Sequence, residues 1–392
     1  MLFLDNTNCC IIFSTADWSE SYWTNKQHTA RQFTLKDYRV LYIESVGLRT
    51  PNLKSTRDWN RIWRRLKTGL HSAKQVENNI WVISPLVLPF MHKNPLVRIF
   101  NQGLLRFTIK RFLQKNNFKC PTIWTYHPYM LDTITGIEHG KLVYHCVDDL
   151  SAVPGVDVLS FKQEELRLLN AANVVFTTSP ALMEMCSGQN KNTYYFSNVV
   201  DKKHFNLALN DGPLPNELQK IPEPRLGYVG VLSDFKIDFQ LLVDVANNHP
   251  EWNFVFIGEE REGQNSPYIH QLKAMQNAHF LGYRSYQVLP DYLRGFNVAL
   301  LPTLINDYTK SMFPMKYFEY LAAGLRIVST PLDFTRYNKA GMETGEDSKN
   351  FEHAIQKQLG RSKLTMPESD SYVGDNTWSA RMEKMLDLMD GS

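Results

Sequence analysis

Residues 297–331 read NVALLPTLINDYTKSMFPMKYFEYLAAGLRIVSTP. NVALLP is a short apolar run of strand length that stops at a proline. PMKYFEYLAAG reads as a helix, because Pro314 is pre-set for a first turn and Gly324 is a natural stop. LRIVST then returns to an apolar, β-branched run. Strand, helix and strand in close succession make one βαβ unit, which places its two strands parallel in one sheet. The stretch also poses a chemical question, because Lys316 and Glu319 stand one turn apart on the helix.

The same alternation extends upstream. LGYVGVL (226–232), WNFVFIG (252–258) and AHFLGY (278–283) read as strands, and 239–248, 266–274 and 285–296 as helices. Strands are also expected at 9–14, 39–43, 80–84, 122–126, 142–146, 174–178 and 193–196, with helices at 20–34, 95–115 and 161–172. Between the two series lie SNVVDKKHF (197–205) and a Pro-, Asn- and Gly-rich stretch expected to be a linker. The last helical pattern, 377–389, is set apart by a polar loop. These patterns predict an α/β protein with two Rossmann-like domains in series, the carboxyl ends of their strands facing a cleft. The expected boundaries are 1–206, a linker at 207–225, 226–376, and a closing helix at 377–392.

A chain of 392 residues with 43% hydrophobic and 21% charged residues can bury the cores of two domains. A formal charge of +3 excludes a general polyanion binder and leaves only local basic patches. No apolar run reaches the roughly 18 residues that a membrane-spanning helix needs. The N-terminus lacks the basic n-region of a signal peptide. The five cysteines show no metal-ligand spacing, so buried thiols in a reducing cytoplasm are expected, without a zinc site.

No GxGxxG follows a strand and no Walker A lysine motif is present, so phosphate would have to be held in another way. Lys310, Ser311 and Lys316 fall within about a turn of the helix start at Pro314, where free amides and the helix dipole favour an anion. Glu319 lies one turn on, beside Tyr320, and a carboxylate there suits two vicinal hydroxyls. Spacing alone leaves two readings open: a diphosphate-and-ribose clamp, or an i, i+3 ion pair worth a few tenths of a kcal/mol.

The 297–331 stretch resembles the donor-site segment of GT-B glycosyltransferases, in the broad group that includes the family-four bacterial enzymes. HFLGYRSYQVLPDYLRGFNVALLP resembles the segment that precedes it, SNVVDKKHF the segment between the halves, and NTWSARMEKML the closing helix. YHCVDDLSAVPG is similar to a segment of bacterial exopolysaccharide and teichuronic-acid transferases. The resemblance implies a GT-B fold, with Glu319 as the ribose-binding second glutamate of an E-x7-E motif. Ser311 stands where the first glutamate would be, and Ser233 near where an arginine is expected, which leaves the stereochemical outcome open. The resemblance makes Lys236, Lys310 and Lys316 the candidates for neutralising the departing diphosphate, where charge develops in the transition state. Gly282 and Tyr283 become candidate nucleotide contacts, and Gly230 a point of close backbone approach.

In the first half, an acceptor hydroxyl calls for a base or an orienting carboxylate. Asp148 and Asp149 follow one strand, His127 another, and Asp17 the first; Trp18 and Trp23 are candidate sugar-stacking platforms. Each has a structural alternative, since Asp after a strand is often a cap or turn residue. Two basic, aromatic stretches, 57–67 and 92–115, suit either an anionic membrane surface or a solvated helix face. No recognised nucleic-acid module accompanies them. The expectation is a glycosyltransferase moving a sugar from a nucleotide-diphosphate donor to a saccharide or lipid-linked acceptor in surface-polysaccharide synthesis. It would need no metal or cofactor beyond the donor and would act in the cytoplasm, peripheral at the inner membrane face. A nucleotide-sugar 2-epimerase and a non-catalytic nucleotide- or glycan-binding protein are the rival readings.

Overall fold

The computed structural model describes residues 8–45, 73–85, 95–260 and 266–391. It divides into two compact units, one comprising Met1–Phe196 with Met382–Ser392, the other Ser197–Arg381. The basic stretch 57–67 and the first residues of 92–115 lie outside the described residues.

Unit 1 holds β1 (Cys9–Phe13), β2 (Arg39–Ile43), β3 (Lys74–Glu77), β4 (Ile80–Ile83), β5 (Thr122–Thr125), β6 (Leu142–Cys146), β7 (Val174–Thr177) and β8 (Thr193–Tyr195). They form one sheet in the order β3-β4-β2-β1-β5-β6-β7-β8. All neighbours are parallel except the β3–β4 pair. Successive residues face opposite layers, as the period of two requires. Ile11, Phe13, Leu41 and Ile123 enter one core, while Cys10, Ile12, Val40 and Trp124 enter the other. Both faces are covered, so these strands read as unbroken apolar runs. β3 was not expected, because its KQVE sequence is an edge strand that buries little. The expected helix 20–34 begins instead at Asn25, where Thr24 and Gln27 form a capping box.

Unit 2 holds β9 (Arg225–Val229), β10 (Asn253–Ile257), β11 (Ala278–Gly282), β12 (Val298–Leu301), β13 (Ile327–Ser329) and β14 (Met342–Thr344). Its sheet is entirely parallel, in the order β11-β10-β9-β12-β13-β14. The stretch 207–225, expected as a linker, carries the helix Asn216–Gln219, and Leu218 and Ile221 sit in the unit 2 core. The polar region before the closing helix is likewise structured, with β14 and the helices Ser348–Leu359 and Met366–Val373. Ser348–Leu359 buries only the narrow stripe of Phe351, Ala354, Ile355 and Gln358, so its composition looks loop-like although its Asp347 cap is in place. The closing helix Trp378–Asp390 starts in unit 2, and its Met382, Met385 and Met389 belong to a unit 1 core.

Among the described residues no helix is long and apolar enough to cross a membrane. Cys9, Cys10, Cys146 and Cys186 are buried free thiols, whereas Cys120 is exposed. Burial pushes the Cys10 thiol well above its usual range.

Candidate functional site

In unit 2 the strand order reverses between β9 and β12. In open α/β sheets the carboxyl ends of the strands at such a reversal are where ligands bind. β9 and β12 pair only at Leu226–Val298 and Gly227–Ala299. Further along, the Val229 N–H donates instead to the Tyr320 hydroxyl, 2.9 Å away.

Three segments meet at this point. After β9, Gly230 adopts φ +155°, and an added Cβ would lie 2.8 Å from the Tyr228 hydroxyl oxygen, so the turn requires glycine. The loop closes on itself as the Lys236 and Ile237 N–H groups donate to the buried Ser233 carbonyl. Ile237 then bridges Thr303 of the loop after β12. Asn306 binds the two loops together: its Nδ2 donates to the Phe235 carbonyl at 2.7 Å, and its Oδ1 accepts from the Tyr308 and Thr309 N–H groups. The Lys236 ammonium lies 5.1 Å from the Phe235 ring centroid and 5.5 Å from that of Tyr308. At the base, the Thr330 hydroxyl donates to the Thr303 carbonyl and accepts the Thr303 N–H, joining the ends of β12 and β13.

The third segment is the helix Lys316–Ala322. Glu319 is 6% exposed, and its Oε2 lies 2.5 Å from Lys316 Nζ. The pair is therefore partly buried, in contrast to the solvated ion pair that spacing alone allowed. Lys310 reaches out to the exposed Asp307 at 2.7 Å. Ser311 is buried, its hydroxyl 3.5 Å from the Tyr308 carbonyl. Asn198, from the SNVVD segment, donates to the Phe313 carbonyl at 2.5 Å and so anchors the approach to this helix.

The structure thus brings Gly230, Lys236, Lys310, Ser311, Lys316 and Glu319 onto the loops and helix beside one strand-order reversal. Gly282 and Tyr283 lie apart, at the end of the edge strand β11, where Gly282 adopts φ +73°. The expected nucleotide contact from Tyr320 is corrected. The ring is fully buried and its hydroxyl is taken by Val229, so it ties the helix to β9. Sequence reasoning missed Asn306, whose only trace is the turn-forming Asn-Asp pair.

Arg284, next to Tyr283, bonds Glu217 at 2.6 Å, and Tyr292 donates to the same carboxylate at 2.5 Å. The Tyr292 hydroxyl first, and then Arg284, hold the Glu217 carboxyl below its usual range. A depressed folded-state pKa gives stability that is present above the unfolded value, about 4.3, and is lost as pH falls through the folded value. Glu217→Gln should therefore cost under about 1 kcal/mol near neutral pH, since the group is 41% exposed. Urea titrations of both proteins should show that gap closing as pH falls from about 4.3 through the lower folded-state value.

In unit 1 the strand order reverses between β1 and β5. Asp17 is 1% exposed, and its carbonyl accepts from Gln27 Nε2 at 3.0 Å. Trp18 packs on Trp23 and Tyr42, and the Arg31 guanidinium covers Trp23 at 4.3 Å, so that ring is already stacked. Glu44, which the sequence reading missed, accepts the Trp18 N–H and the Ser84 hydroxyl. His127 is 1% exposed, with its ring against Tyr129. Asp149 caps the turn after β6, accepting the Ser151 N–H and hydroxyl, with Lys162 at 3.4 Å. That is its structural alternative realised. Asp148 is half-buried.

Residues 223–360 match the family described as glycosyl transferases group 1. Over 209 residues the chain is 26% identical to a protein of Bacillus subtilis (strain 168) described as a putative teichuronic acid biosynthesis glycosyltransferase, TuaH. That match covers 50% of this chain and 51% of the relative, about half of each. Among solved structures, a sucrose-phosphate synthase from Thermosynechococcus elongatus superposes with a TM-score of 0.69 at 13% identity, covering 98% of both chains. Anabaena Alr3699/HepE, in complex with UDP-glucose, gives 0.66 at 12% identity, covering 98% of this chain and all (100%) of that one. The chain has the GT-B fold of two α/β domains, and the match to the group 1 glycosyl transferase model falls within its second unit.

Proposed function

We propose that the protein is a glycosyltransferase that takes a sugar from a nucleoside-diphosphate donor and passes it to a saccharide or lipid-linked hydroxyl in surface-polysaccharide synthesis. The observation that carries the reading is the partly buried Glu319–Lys316 pair, on the helix tied to β9 just before the Gly230 turn, at the strand-order reversal of the unit that matches the group 1 model. A half-neutralised carboxylate that keeps lone pairs available suits the two hydroxyls of a ribose. The glycine lets the backbone approach a phosphate closely.

In the reaction the sugar C1–O bond to the diphosphate breaks and its electron pair leaves with the diphosphate. The acceptor oxygen bonds C1, and its proton passes to a base. Lys236, Lys310 and Lys316 are assigned to the charge that grows on the leaving group, the part a metal plays elsewhere. No cofactor besides the donor enters this scheme. UDP is the first nucleotide to try, because HepE is described in complex with it. The acceptor is assigned to unit 1, at the cytoplasmic face of the membrane. The proton-accepting or orienting role is assigned to Asp148, half-buried just past β6, with the buried His127 as a supporting group; Asp149 beside it serves as a cap.

A thermal-shift panel of nucleotide sugars tests the donor side, since a ligand at 100 times its Kd stabilises by about 2.7 kcal/mol. For the chemistry, Asp148→Asn should lower kcat by about 100-fold or more with nucleotide affinity unchanged. Asp149→Ala, which removes the cap, should act mainly on stability, by about 1 kcal/mol. Full turnover by the Asp148 variant would remove it from the scheme. Turnover of donor to a stereoisomer without any acceptor would replace transfer by epimerisation.

A further inference from the structure

The helix Pro95–Lys115 of unit 1 is held by one face. Leu105, Ile109, Phe112 and Leu113 enter the core, while Gln102 and Arg106 bond Asp132. On the opposite face Leu96, Ile99, Phe100 and Phe107 are 76%, 63%, 59% and 63% exposed. At about 100° per residue these four fall in one stripe, spread over roughly 16 Å of helix. Gly103 continues the stripe, with nothing within 4 Å of an added Cβ. Exposed Lys110 and Arg111 then flank its continuation on either side. Isolated exposed apolar residues are ordinary, but a contiguous stripe marks an interaction surface.

The charge of the helix selects the partner. Its sequence, PLVRIFNQGLLRFTIKRFLQK, carries Arg98, Arg106, Lys110, Arg111 and Lys115 and no carboxylate. A second copy docking face to face would set these cations against themselves. The other basic, aromatic stretch, 57–67, has the same sign and does not complement it. A surface that is apolar beneath and anionic on top fits both halves of the pattern.

We propose that this face docks unit 1 on an anionic lipid bilayer, with Leu96, Ile99, Phe100 and Phe107 entering the headgroup–acyl boundary and Lys110, Arg111 and Lys115 meeting lipid phosphates. The inference deepens the acceptor side of the proposed function, which sets unit 1 at the membrane, and its test is separate from that of the donor site. Flotation of the full chain with phosphatidylcholine vesicles, with and without roughly one-third phosphatidylglycerol, provides the test. The wild-type protein should bind the anionic vesicles at least about tenfold better than neutral ones, and less well as salt rises. Phe100→Glu/Phe107→Glu and Lys110→Glu/Arg111→Glu should each lower binding about tenfold or more, with melting temperature and UDP affinity unchanged. Three results would overturn the proposal: a wild-type protein that stays off anionic vesicles, variants that bind as well as wild type, or a stable dimer in solution that the phenylalanine variants abolish. Preference for duplex DNA over vesicles would also overturn it. Loss of UDP binding in every protein would instead count against the donor site and leave this surface untouched.

Discussion

Glu319→Ala should weaken UDP binding by about 100-fold or more while leaving the protein folded. Hydrogen bonds to a charged group are worth about 1.5–3 kcal/mol each, and a ribose offers two hydroxyls to one carboxylate. The alanine also leaves Lys316 with a partly buried charge and no Glu319 to meet it, which adds to the loss. Glu319→Gln keeps the shape and the acceptor oxygen, so it should fall between the two, about tenfold below wild type. Isothermal titration with UDP measures all three proteins. Circular dichroism separates loss of binding from loss of fold. An alanine variant that is folded and binds within a factor of about three would end the ribose-clamp assignment, since even one charged hydrogen bond is worth more than that.

The second large effect concerns stability. Gly227 sits in the middle of β9, and a Cβ built there lies 2.0 Å from the Phe296 ring, whose side chain is fully buried in the unit 2 core. Gly227→Ala should therefore cost about 3 kcal/mol, the upper range for overpacking, because neither a central strand nor a buried ring moves freely. Phe296→Leu removes the clashing edge, so the double variant should be less destabilised than the sum of the singles. Urea unfolding of unit 2, followed by tryptophan fluorescence, reads this out. Strict additivity would show that strand and ring relax independently.

The parallel strands were legible because burial on both faces writes them as apolar runs: Arg39–Ile43 and Leu142–Cys146 are found where expected. The edge strand β3 and the helix Ser348–Leu359 were not, since an element that buries one narrow stripe or none leaves mostly polar letters. The same logic divides the candidate site. The spacing of Lys316 and Glu319 lies within one helix turn and is visible in a linear text. The Asn306–Phe235 bond joins residues 71 apart in sequence, and nothing local in the chain announces it. Tyr320 illustrates the converse error, because its neighbourhood in sequence suggested a ligand contact while the sheet's splayed strands had claimed its hydroxyl.

The closing helix begins in one unit and delivers Met382, Met385 and Met389 to a core whose other members lie before residue 197. Unit 1 is therefore built from two separated pieces of chain, with the whole of unit 2 between them. During synthesis the first unit waits with part of one hydrophobic layer uncovered until the second has been made, so its burial is completed last although its strands emerge first. The pairing of its strands can follow the order of translation, but the covering of that one layer waits for the last residues of the chain.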